Sequence, residues 1–370
     1  MPRPSHTPRL LLAVALTLIT AATVGCSDES KSTAASAEKT AAPPKVEWRS
    51  VVAPSTCQCS DGSEFRYWVR EANPTKVLFF LQGGGACFSA GTCGPGSETY
   101  TRNLEGQDGP LGDGAKGIFD LDDKRNPFRD YSMVYVPYCT GDVHLGNTVQ
   151  DYGEGVVIHH NGYVNAGTAL ATTAALFPDT EQIVVAGASA GSAGAPLYSG
   201  LAHDVLPKAK IAVLADSSGA YPATPGITAA IGSLWGTTNA IPPWPTAAGL
   251  TAEQWTLPGL FVQSAKHDPN IVFGRFDYAY DEVQADFAAL AGIAADNLVT
   301  LIDDNEKLVE SGGVDLHTWV QPGIEHTVVG KPDFYKTELD GTKLFDWVAE
   351  LIDGEDVADL HCTDCERPTA

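Results

Sequence analysis

The chain has 370 residues, of which 46 are acidic and 23 are basic, so its net charge at pH 7 is -23. The apolar fraction of 44% and the charged fraction of 19% are typical of a globular protein with a substantial core, and they exclude a disordered or fibrous chain. The strong negative charge repels phosphate backbones and anionic lipid head groups, which argues against nucleic acid as a partner.

The N-terminus has the pattern of an export signal. Arg3 and Arg9 precede an apolar run over 10–24, and a polar stretch follows. We predict a signal peptide over 1–25 and a flexible linker over 26–45, because the linker is rich in Ser, Ala, Lys, Glu and Pro and cannot bury enough surface to fold.

Cys26 is a candidate site of lipid attachment. Small residues stand immediately before it, as in bacterial lipoprotein signals, in which this cysteine becomes the acylated N-terminus. Thr23 stands where such signals usually carry Leu, so ordinary secretion is the alternative. Either route predicts an exported protein, held at the bacterial cell envelope by the lipid or secreted, that meets the membrane only through the anchor.

The rest of the chain alternates predicted strands and helices. Apolar runs bounded by turn residues predict buried strands, and Ala- and Leu-rich or amphipathic stretches predict helices. The predicted strands are 76–81, 132–136, 182–186, 211–215, 260–264 and 317–321, and the predicted helices are 161–177, the segment after Ser189, 278–291 and 344–352. This alternation indicates an α/β fold of the α/β-hydrolase type, with a mainly parallel sheet, helices on both faces and a single domain over 46–370.

One segment, over about 220–258, breaks the alternation. It is rich in Pro and Gly and contains Trp235, Trp244 and Trp255. We predict that it forms a cap over the active site. The alternative is that these aromatic side chains fill the core beneath a long surface loop.

A candidate nucleophile lies in the run Gly187-Ala188-Ser189-Ala190-Gly191. This G-x-S-x-G pattern follows a predicted strand directly and precedes a small-residue helix, which is the setting of a nucleophile elbow. The turn would expose the Ser189 hydroxyl, and the helix that follows would direct its first amides at the same point. A solvated serine in a glycine-rich turn is the alternative interpretation.

A glycine-rich loop at Gly83-Gly84-Gly85 supplies candidate oxyanion donors. It follows the predicted strand 76–81 and is comparable to the oxyanion loop of lipases and esterases. No G-K-[ST] follows, which argues against a phosphate-binding loop. We predict that the amides of Gly84, Gly85 and Ala190 stabilise the oxyanion.

The general base should be a histidine that follows the nucleophile and an acid along the chain. His203 comes too soon after Ser189, His317 begins a predicted strand, and His361 belongs to the cysteine-rich tail. His326 lies in a loop after the last predicted strand and before the C-terminal helix, so we predict that His326 is the base.

Asp268 is the predicted acid, because it follows the predicted strand 260–264 at the same edge of the sheet as the other two residues. Asp216 and Asp277 are weaker rivals. Asp216 also follows a strand and is interpreted as a structural or substrate-shaping carboxylate, whereas Asp277 is interpreted as a solvated residue at the start of a helix.

Eight cysteines in an exported chain predict disulfides. Cys87 and Cys93 are close enough in sequence to close a small loop, and Cys362 and Cys365 form a C-terminal pair. With His361, the second pair could instead bind zinc, but a zinc site normally needs further ligands at suitable spacing. We therefore predict no metal and no organic cofactor, and the partner of Cys57 stays open.

Several stretches together resemble the pectin acetylesterase family. Besides the nucleophile elbow they are, in the order that the family has them, Cys59-Ser-Asp-Gly62, LQGGGACF at 81–88, PYCTGDVHLG at 137–146 and ADSSG at 215–219.

This resemblance implies a triad of Ser189, Asp268 and His326, an oxyanion hole of Gly84, Gly85 and Ala190, and a disulfide between Cys59 and Cys139. Two departures concern the acyl pocket. Gly85 stands where the animal members carry a bulky aromatic residue, and the cap segment does not match.

The predicted function is hydrolysis of a carboxylic ester through a serine acyl-enzyme, with release of a short acyl group such as acetate from a carbohydrate or another small ester. Two rivals stay open. One is an esterase or lipase that acts on longer acyl chains or polyesters, as the aromatic cap suggests, and the other is a non-catalytic surface protein that retains the fold.

Overall fold

In a computed structural model of the chain, residues 47–111, 115–363 and 365 are described. The predicted signal peptide over 1–25, the linker over 26–45 and the lipid site at Cys26 lie outside these residues. The described residues all belong to one compact unit. None of their helices is long and apolar enough to cross a membrane.

The described residues form a large sheet of nine strands and two small two-stranded sheets. The strands are β1 (Trp48–Val52), β2 (Arg66–Arg70), β3 (Asn73–Leu81), β4 (Tyr131–Val136), β5 (Thr148–Asp151), β6 (Val157–His160), β7 (Gln182–Ala188), β8 (Lys210–Asp216), β9 (Val272–Tyr278), β10 (Leu316–Gln321), β11 (Glu338–Leu339), β12 (Thr342–Lys343) and β13 (Leu360–His361).

The large sheet has the strand order β1-β2-β4-β3-β7-β8-β9-β10-β13. In this sheet all neighbouring strands are parallel except two pairs, β1 with β2 and β2 with β4, which are antiparallel. Because parallel strands need crossover connections, each of their carboxyl ends leads into a loop at the same edge of the sheet.

Helices supply most of these crossovers. They are α1 (Ala90–Cys93), α2 (Gly162–Leu176), α3 (Ala190–Val205), α4 (Pro225–Trp235), α5 (Leu257–His267), α6 (Glu282–Leu290), α7 (Leu298–Ser311) and α8 (Leu344–Asp353).

The two faces of the sheet carry two separate apolar clusters. Alternate residues of β3 point to opposite faces, so Phe79 packs with Tyr198 of α3 on one face, and Phe80 belongs to a second cluster with Trp347 of α8. Helices on both faces of a mainly parallel sheet are the α/β-hydrolase-like arrangement that the sequence predicts.

Most predicted elements are confirmed within a few residues, but the strand predicted over 260–264 is wrong. That segment belongs to helix α5, which begins after Thr256, whose hydroxyl accepts a hydrogen bond from the Gly259 amide. Pro258 in the first turn is also typical of a helix start. The strand at this point of the sheet is β9, over Val272–Tyr278, which was not among the predicted strands.

Three disulfides join the pairs that were predicted, Cys59–Cys139, Cys87–Cys93 and Cys362–Cys365. Their Cα–Cα distances of 5.0, 5.0 and 5.2 Å lie in the usual range for a disulfide. Cys57 is a buried free thiol, and its Sγ lies 3.3 Å from Thr168 Oγ1. The bonds fit an exported protein, because such bonds persist in oxidising compartments.

Candidate active site

Five consecutive parallel strands bring five loops to one edge of the sheet. β3 leads into the glycine loop at Gly83, β7 into Ser189, β8 into Ser217, β9 into Asp281 and β10 into His326. In open α/β sheets, ligands bind in the crevice outside the carboxyl ends of the strands. The fold therefore gathers these loops where a binding site is expected.

Ser189 has the backbone conformation of a nucleophile elbow. Its φ of 55° and ψ of -120° are uncommon for a residue with a side chain, and its amide donates to the Asp216 carbonyl at 2.8 Å. The turn is so tight that a Cβ on Gly187 would collide with the backbone of Gly191, and one on Gly191 would collide with the Leu81 carbonyl. Glycine is therefore required at both positions.

The three amides predicted as oxyanion donors have no hydrogen-bond partner among the described residues: those of Gly84, Gly85 and Ala190. Ala190 is the first residue of α3, where helix amides are free to bind a ligand. Gly85 has a φ of +77°, and a Cβ there would collide with the Thr99 carbonyl, so the backbone at this position requires glycine.

The segment after the glycine loop is firmly anchored. Cys87 forms a disulfide with Cys93, and its amide donates to the Gly141 carbonyl at 3.0 Å. The Cys87 carbonyl accepts a 2.7 Å hydrogen bond from Trp235 Nε1. The loop is therefore attached both to the neighbouring strand connection and to the predicted cap segment.

A buried polar network supports the start of the glycine loop. His144 donates from Nε2 to the Gln82 carbonyl at 2.9 Å, and burial lowers the pKa of His144 to about 4. The Asp142 carboxylate accepts from Thr140 Oγ1 and from the amides of Gly162 and His144, at 2.6, 2.8 and 3.2 Å. Burial raises the pKa of Asp142 to about 6. The PYCTGDVHLG stretch thus acts as a scaffold behind the glycine loop.

His326, the predicted base, binds a carboxylate through one ring nitrogen and is free at the other. Its Nδ1 lies 2.7 Å from Asp281 Oδ2. A carboxylate can only accept, so Nδ1 carries the proton and Nε2 has the free lone pair. Nε2 is buried and has no hydrogen-bond partner among the described residues, as expected of a nitrogen that receives a proton from a substrate or nucleophile.

Asp281 is fully buried and caps helix α6. Its Oδ1 accepts from the Gln284 amide at 3.0 Å, and its Oδ2 accepts from Gln284 Nε2 at 3.1 Å in addition to the histidine. The positive end of a helix dipole favours the ionised carboxylate at this position. Gln284 Nε2 also donates to Asp277 Oδ1 at 3.0 Å, which fixes the orientation of its amide.

The prediction that Asp268 orients the base is wrong. Asp268 is the C-cap residue that directly follows α5 and precedes β9, so it lies at the amino end of the parallel strands, opposite the edge that carries Ser189. Its Oδ2 lies 3.1 Å from His203 Nδ1, and its Oδ1 accepts from Asn270. A helix had been taken for a strand, which reversed the edge to which Asp268 was assigned.

The interpretation of Asp277 as a solvated residue at a helix start is also wrong. Asp277 belongs to strand β9, is 1% exposed and forms an ion pair with Arg275, with Oδ2 2.8 Å from Nε. Its other oxygen accepts from the Gly219 amide at 2.8 Å. Asp277 therefore lies close to the site as part of a buried ion pair, not on the surface.

Sequence reasoning missed Asp281, although the chain carries a signal for it. Asp281 stands three residues before Gln284, at the start of an amphipathic helix, which is the spacing of a capping box. The run Val272–Tyr278 contains Arg275 and Asp277, and these charges hid its strand character. Recognition of the strand would have placed Asp281, and not Asp268, just beyond a carboxyl end.

An apolar cavity of about 150 Å³ opens beside Ser189. The predicted cap segment contributes much of its wall, mainly through one side of α4 with Ile227, Ile231 and Trp235. Helix α6, which is capped by Asp281, contributes Phe287. Trp244, by contrast, does not line the cavity and stacks on His267 with ring centroids 4.3 Å apart.

Known proteins similar to this chain include carboxylesterases from several animals. Palmitoleoyl-protein carboxylesterase notum2 of Xenopus laevis is 29% identical over 144 residues, which cover 37% of this chain and 28% of that protein. The human protein NOTUM is 33% identical over 90 residues, 24% of this chain and 18% of that protein. The matched region thus spans less than a third of the length of these relatives.

A third relative is named as inactive. Inactive palmitoleoyl-protein carboxylesterase notum1b of Danio rerio is 32% identical over 113 residues, which cover 30% of this chain and 78% of that protein. Among solved structures, the Wnt deacylase Notum from Drosophila superposes with a TM-score of 0.59 over 88% of this chain and 99% of that chain. At 18% identity this likeness concerns the fold.

The family model named Pectinacetylesterase matches residues 40–231, just over half of the chain. The matched region includes the glycine loop and Ser189 but ends before both Asp281 and His326. The match and the shared fold agree with the elbow, the glycine loop and the strand order described above. The chain belongs to the pectinacetylesterase family, a group of carboxylic ester hydrolases with an α/β-hydrolase-like fold.

Proposed function

We propose that the protein is a serine carboxylesterase with the triad Ser189, His326 and Asp281. The observation that carries the proposal is the state of His326, whose Nδ1 is bound to a buried carboxylate and whose buried Nε2 is unpaired within the described part of the chain. This state fits a general base whose loop lies at the same edge of the sheet as the strained nucleophile. The whole compact unit, over 46–370, is then one catalytic domain with a cap at about 220–258.

Each step of the reaction uses a group of this chain. His326 Nε2 takes the proton of the Ser189 hydroxyl as Oγ attacks the ester carbonyl. The amides of Gly84, Gly85 and Ala190 stabilise the negative oxygen of the tetrahedral intermediate. As the intermediate collapses, the alcohol leaves with the proton from Nε2. Water then repeats the sequence on the acyl-enzyme, releases the acid and restores Ser189.

The shape of the cavity supports an apolar acyl group that is larger than acetate. A dry cavity of about 150 Å³ in another protein, lined by Leu, Ile and Phe, binds benzene. By the same measure, the cavity beside Ser189 holds an acyl chain of roughly four to eight carbons. The palmitoleoyl group in the names of the animal relatives is longer than that.

Release of acetate from a carbohydrate is the second candidate. The name of the family favours it, and so does the resemblance of the glycine loop and of the flanking stretches. The net charge of -23 argues against a polyanionic carbohydrate such as pectin, because like charges repel at long range. For the location of the protein we propose export, with a lipid on Cys26 as one route to the cell envelope and secretion as the other.

The proposal requires turnover that depends on Ser189. We expect Ser189→Ala to lose at least about 10³-fold in kcat on p-nitrophenyl butyrate, because removal of a triad member leaves only the oxyanion hole and binding. Ser199→Ala is a matched control, because its hydroxyl lies in the same helix and is bound to the Pro196 carbonyl at 2.7 Å. Equal activity of Ser189→Ala and wild type would contradict the proposal.

The inactive relative makes it necessary to test for a non-catalytic protein. A fluorophosphonate probe reacts with an activated serine without the need for the natural substrate. We expect the probe to label wild-type protein at Ser189, as identified by peptide mass spectrometry. Failure to label a folded protein would favour a binding protein that retains the fold.

Acyl length is tested with p-nitrophenyl esters of 2, 4, 6, 8 and 16 carbons. We expect the highest kcat/KM between 4 and 8 carbons. Ile231→Phe, which narrows the cavity, should lower kcat/KM for the hexanoate by about 10-fold or more and spare the acetate. Leu234→Phe on the same helix is the matched control, because Leu234 is not part of the cavity wall. A maximum at acetate in both wild type and variants would favour the second candidate.

A further inference from the structure

Asp216 lies between the nucleophile and the loop that carries the base. It is the last residue of β8, its side chain is fully buried, and β8 is the strand between β7 and β9. Its carbonyl accepts the hydrogen bond from the Ser189 amide at 2.8 Å. The backbone of Asp216 therefore contributes directly to the shape of the nucleophile elbow.

The side chain of Asp216 binds the loop that carries His326. Its Oδ2 accepts from the amides of Val328 and Val329, each at 2.9 Å. Its Oδ1 accepts from the Ser217 hydroxyl at 3.2 Å, and that hydroxyl accepts from the Thr327 amide at 3.0 Å. Three successive amides after His326 thus converge on Asp216 and Ser217.

The backbone around these contacts is in conformations that are unfavourable without support. Thr327, the neighbour of His326, has a φ of 60°, and Ser217 has a φ of 68°. Residues with a side chain are uncommon in this region and persist there only when surrounding contacts hold them. Loss of the carboxylate would free Thr327 to adopt an extended conformation and would move the imidazole with it.

Asp216 is not a second copy of the triad acid. Asp281 is the carboxylate that binds His326, and no cationic side chain binds the oxygens of Asp216 within the described ranges. Burial raises the pKa of Asp216 to about 6, and the amides of Val328 and Val329 oppose that shift. A buried carboxylate without a cation is costly, so its presence here points to the hydrogen bonds that it accepts.

We infer that Asp216 is a positioning residue that fixes Ser189 and His326 relative to each other. One residue holds the nucleophile through its carbonyl and the base loop through its carboxylate, so it sets the spacing across which the proton moves. Misplacement of reacting groups by about 1 Å costs roughly 10²-fold in rate. The inference rests on the proposed serine esterase function.

The test compares Asp216→Ala with Asp216→Asn. We expect Asp216→Ala to lower kcat by about 100-fold while KM changes less than about 3-fold. The cavity that binds the substrate is unchanged, whereas proton transfer from Ser189 to His326 becomes slower. Asp216→Asn should keep kcat within about 5-fold of wild type, since one amide oxygen can still accept from Val328 and Val329. Asp268→Asn, which changes a buried carboxylate at the far edge of the sheet, should leave kcat unchanged.

Hydrogen exchange gives a readout that does not need activity. In Asp216→Ala, peptides covering 325–330 should exchange faster by about 10-fold or more, while peptides of β3 and β7 stay protected. If Asp216→Ala does not fold, Ser217→Ala serves instead, because it removes the hydroxyl that links the Thr327 amide to Asp216 Oδ1 and leaves the bonds from Val328 and Val329 in place. For Ser217→Ala we expect a 5- to 10-fold loss in kcat and faster exchange at Thr327.

Three results would overturn the inference: unchanged kcat in a folded Asp216→Ala, equal loss in Asp216→Ala and Asp216→Asn, or unchanged exchange of 325–330. For Ser217→Ala, unchanged kcat and exchange would do the same. Failure of the proposed function has a different signature, namely equal activity of wild type and Ser189→Ala on every ester. The exchange experiment judges the anchoring role of Asp216 in that case as well.

Discussion

Two aspartate–histidine pairs in this protein are similar in their local geometry and differ in their place in the fold. Asp281 lies 2.7 Å from His326, and Asp268 lies 3.1 Å from His203. Both carboxylates are buried, with exposed fractions of 0% and 7%. Contact between a buried carboxylate and an imidazole therefore does not by itself identify the catalytic pair.

Each carboxylate is also bound by an amide side chain nearby in sequence. Gln284 Nε2 donates to Asp281 at 3.1 Å, and Asn270 Nδ2 donates to Asp268 at 2.9 Å. The difference is position: Asp281 follows the carboxyl end of β9, whereas Asp268 precedes its amino end. Only the first edge carries Ser189, the free amides of the glycine loop and the apolar cavity.

The largest expected effect separates the two carboxylates. Asp281→Asn should lower kcat by about 10³- to 10⁴-fold, because an amide in place of the carboxylate favours the wrong tautomer of the histidine and does not stabilise the imidazolium. Asp268→Asn should leave kcat within about 2-fold. Steady-state kinetics on p-nitrophenyl butyrate measure both. The reverse order of effects would return the assignment to Asp268.

The contrast between the two aspartates shows which parts of the site can be predicted from the sequence. The elbow around Ser189 was predictable, because an apolar strand, a G-x-S-x-G turn and a small-residue helix are all local patterns. The loop of His326 was predictable from chain order and from the last strand. The disulfides at 87–93 and 362–365 followed from short spacing, and the Cys59–Cys139 pair followed from the family resemblance.

The acid of the triad was assigned to the wrong residue, because the assignment depended on which of two neighbouring segments is the strand. The segment 260–264 is apolar enough for a strand, but Thr256 and Pro258 begin a helix there. The true strand contains Arg275 and Asp277, which form an ion pair that is buried in the protein. The two residues lie on the same face of the strand, so their pairing is local, but their burial depends on tertiary packing that hydrophobic periodicity does not reveal. The anchoring contacts of Asp216 depend on the same kind of long-range packing.

His160 is a buried histidine that binds no carboxylate, and it differs from both pairs in its effect on the pH dependence of stability. His160 is fully buried, and its ring nitrogens bind the Thr140 carbonyl at 2.9 Å and the Tyr152 hydroxyl at 2.8 Å. Burial lowers the pKa of His160 from 6.5 to about 4. The unfolded chain then binds more protons between those pH values, so stability is lost as pH falls from 6.5 to about 4.

His160→Gln should remove this share of the acid sensitivity. A shift of that size corresponds to about 3 kcal/mol, so the variant should lose about 3 kcal/mol less free energy of unfolding than wild type between pH 6.5 and 4. Urea unfolding at the two pH values measures the difference. His144, which is buried in the same way, keeps its own share in both proteins. Equal losses in the two proteins would show that His160 is protonated in the fold without cost.

The bridging amides provide a smaller and more specific contrast. Gln284→Ala should lower kcat by about 10-fold, because Asp281 loses its side-chain donor but keeps the amide of residue 284 and the histidine. Asn270→Ala, which removes the corresponding donor from Asp268, should leave kcat unchanged. Parallel thermal melts separate loss of activity from loss of fold. An equal effect of the two variants on kcat would mean that Gln284 acts only through general stability.

The smallest expected effect concerns the second histidine. The side chain of His203 is 32% exposed, and Asp268 keeps its hydrogen bonds from Asn270 when the imidazole is removed. Ion pairs at such exposure contribute about 0–1 kcal/mol. His203→Gln should therefore lower the free energy of unfolding by less than about 1 kcal/mol at pH 7 and should not change kcat, whereas His326→Gln should abolish turnover. A loss above about 2 kcal/mol would mean that the His203–Asp268 contact contributes strongly to the packing of α3 against the end of α5. The role of this pair would then be structural.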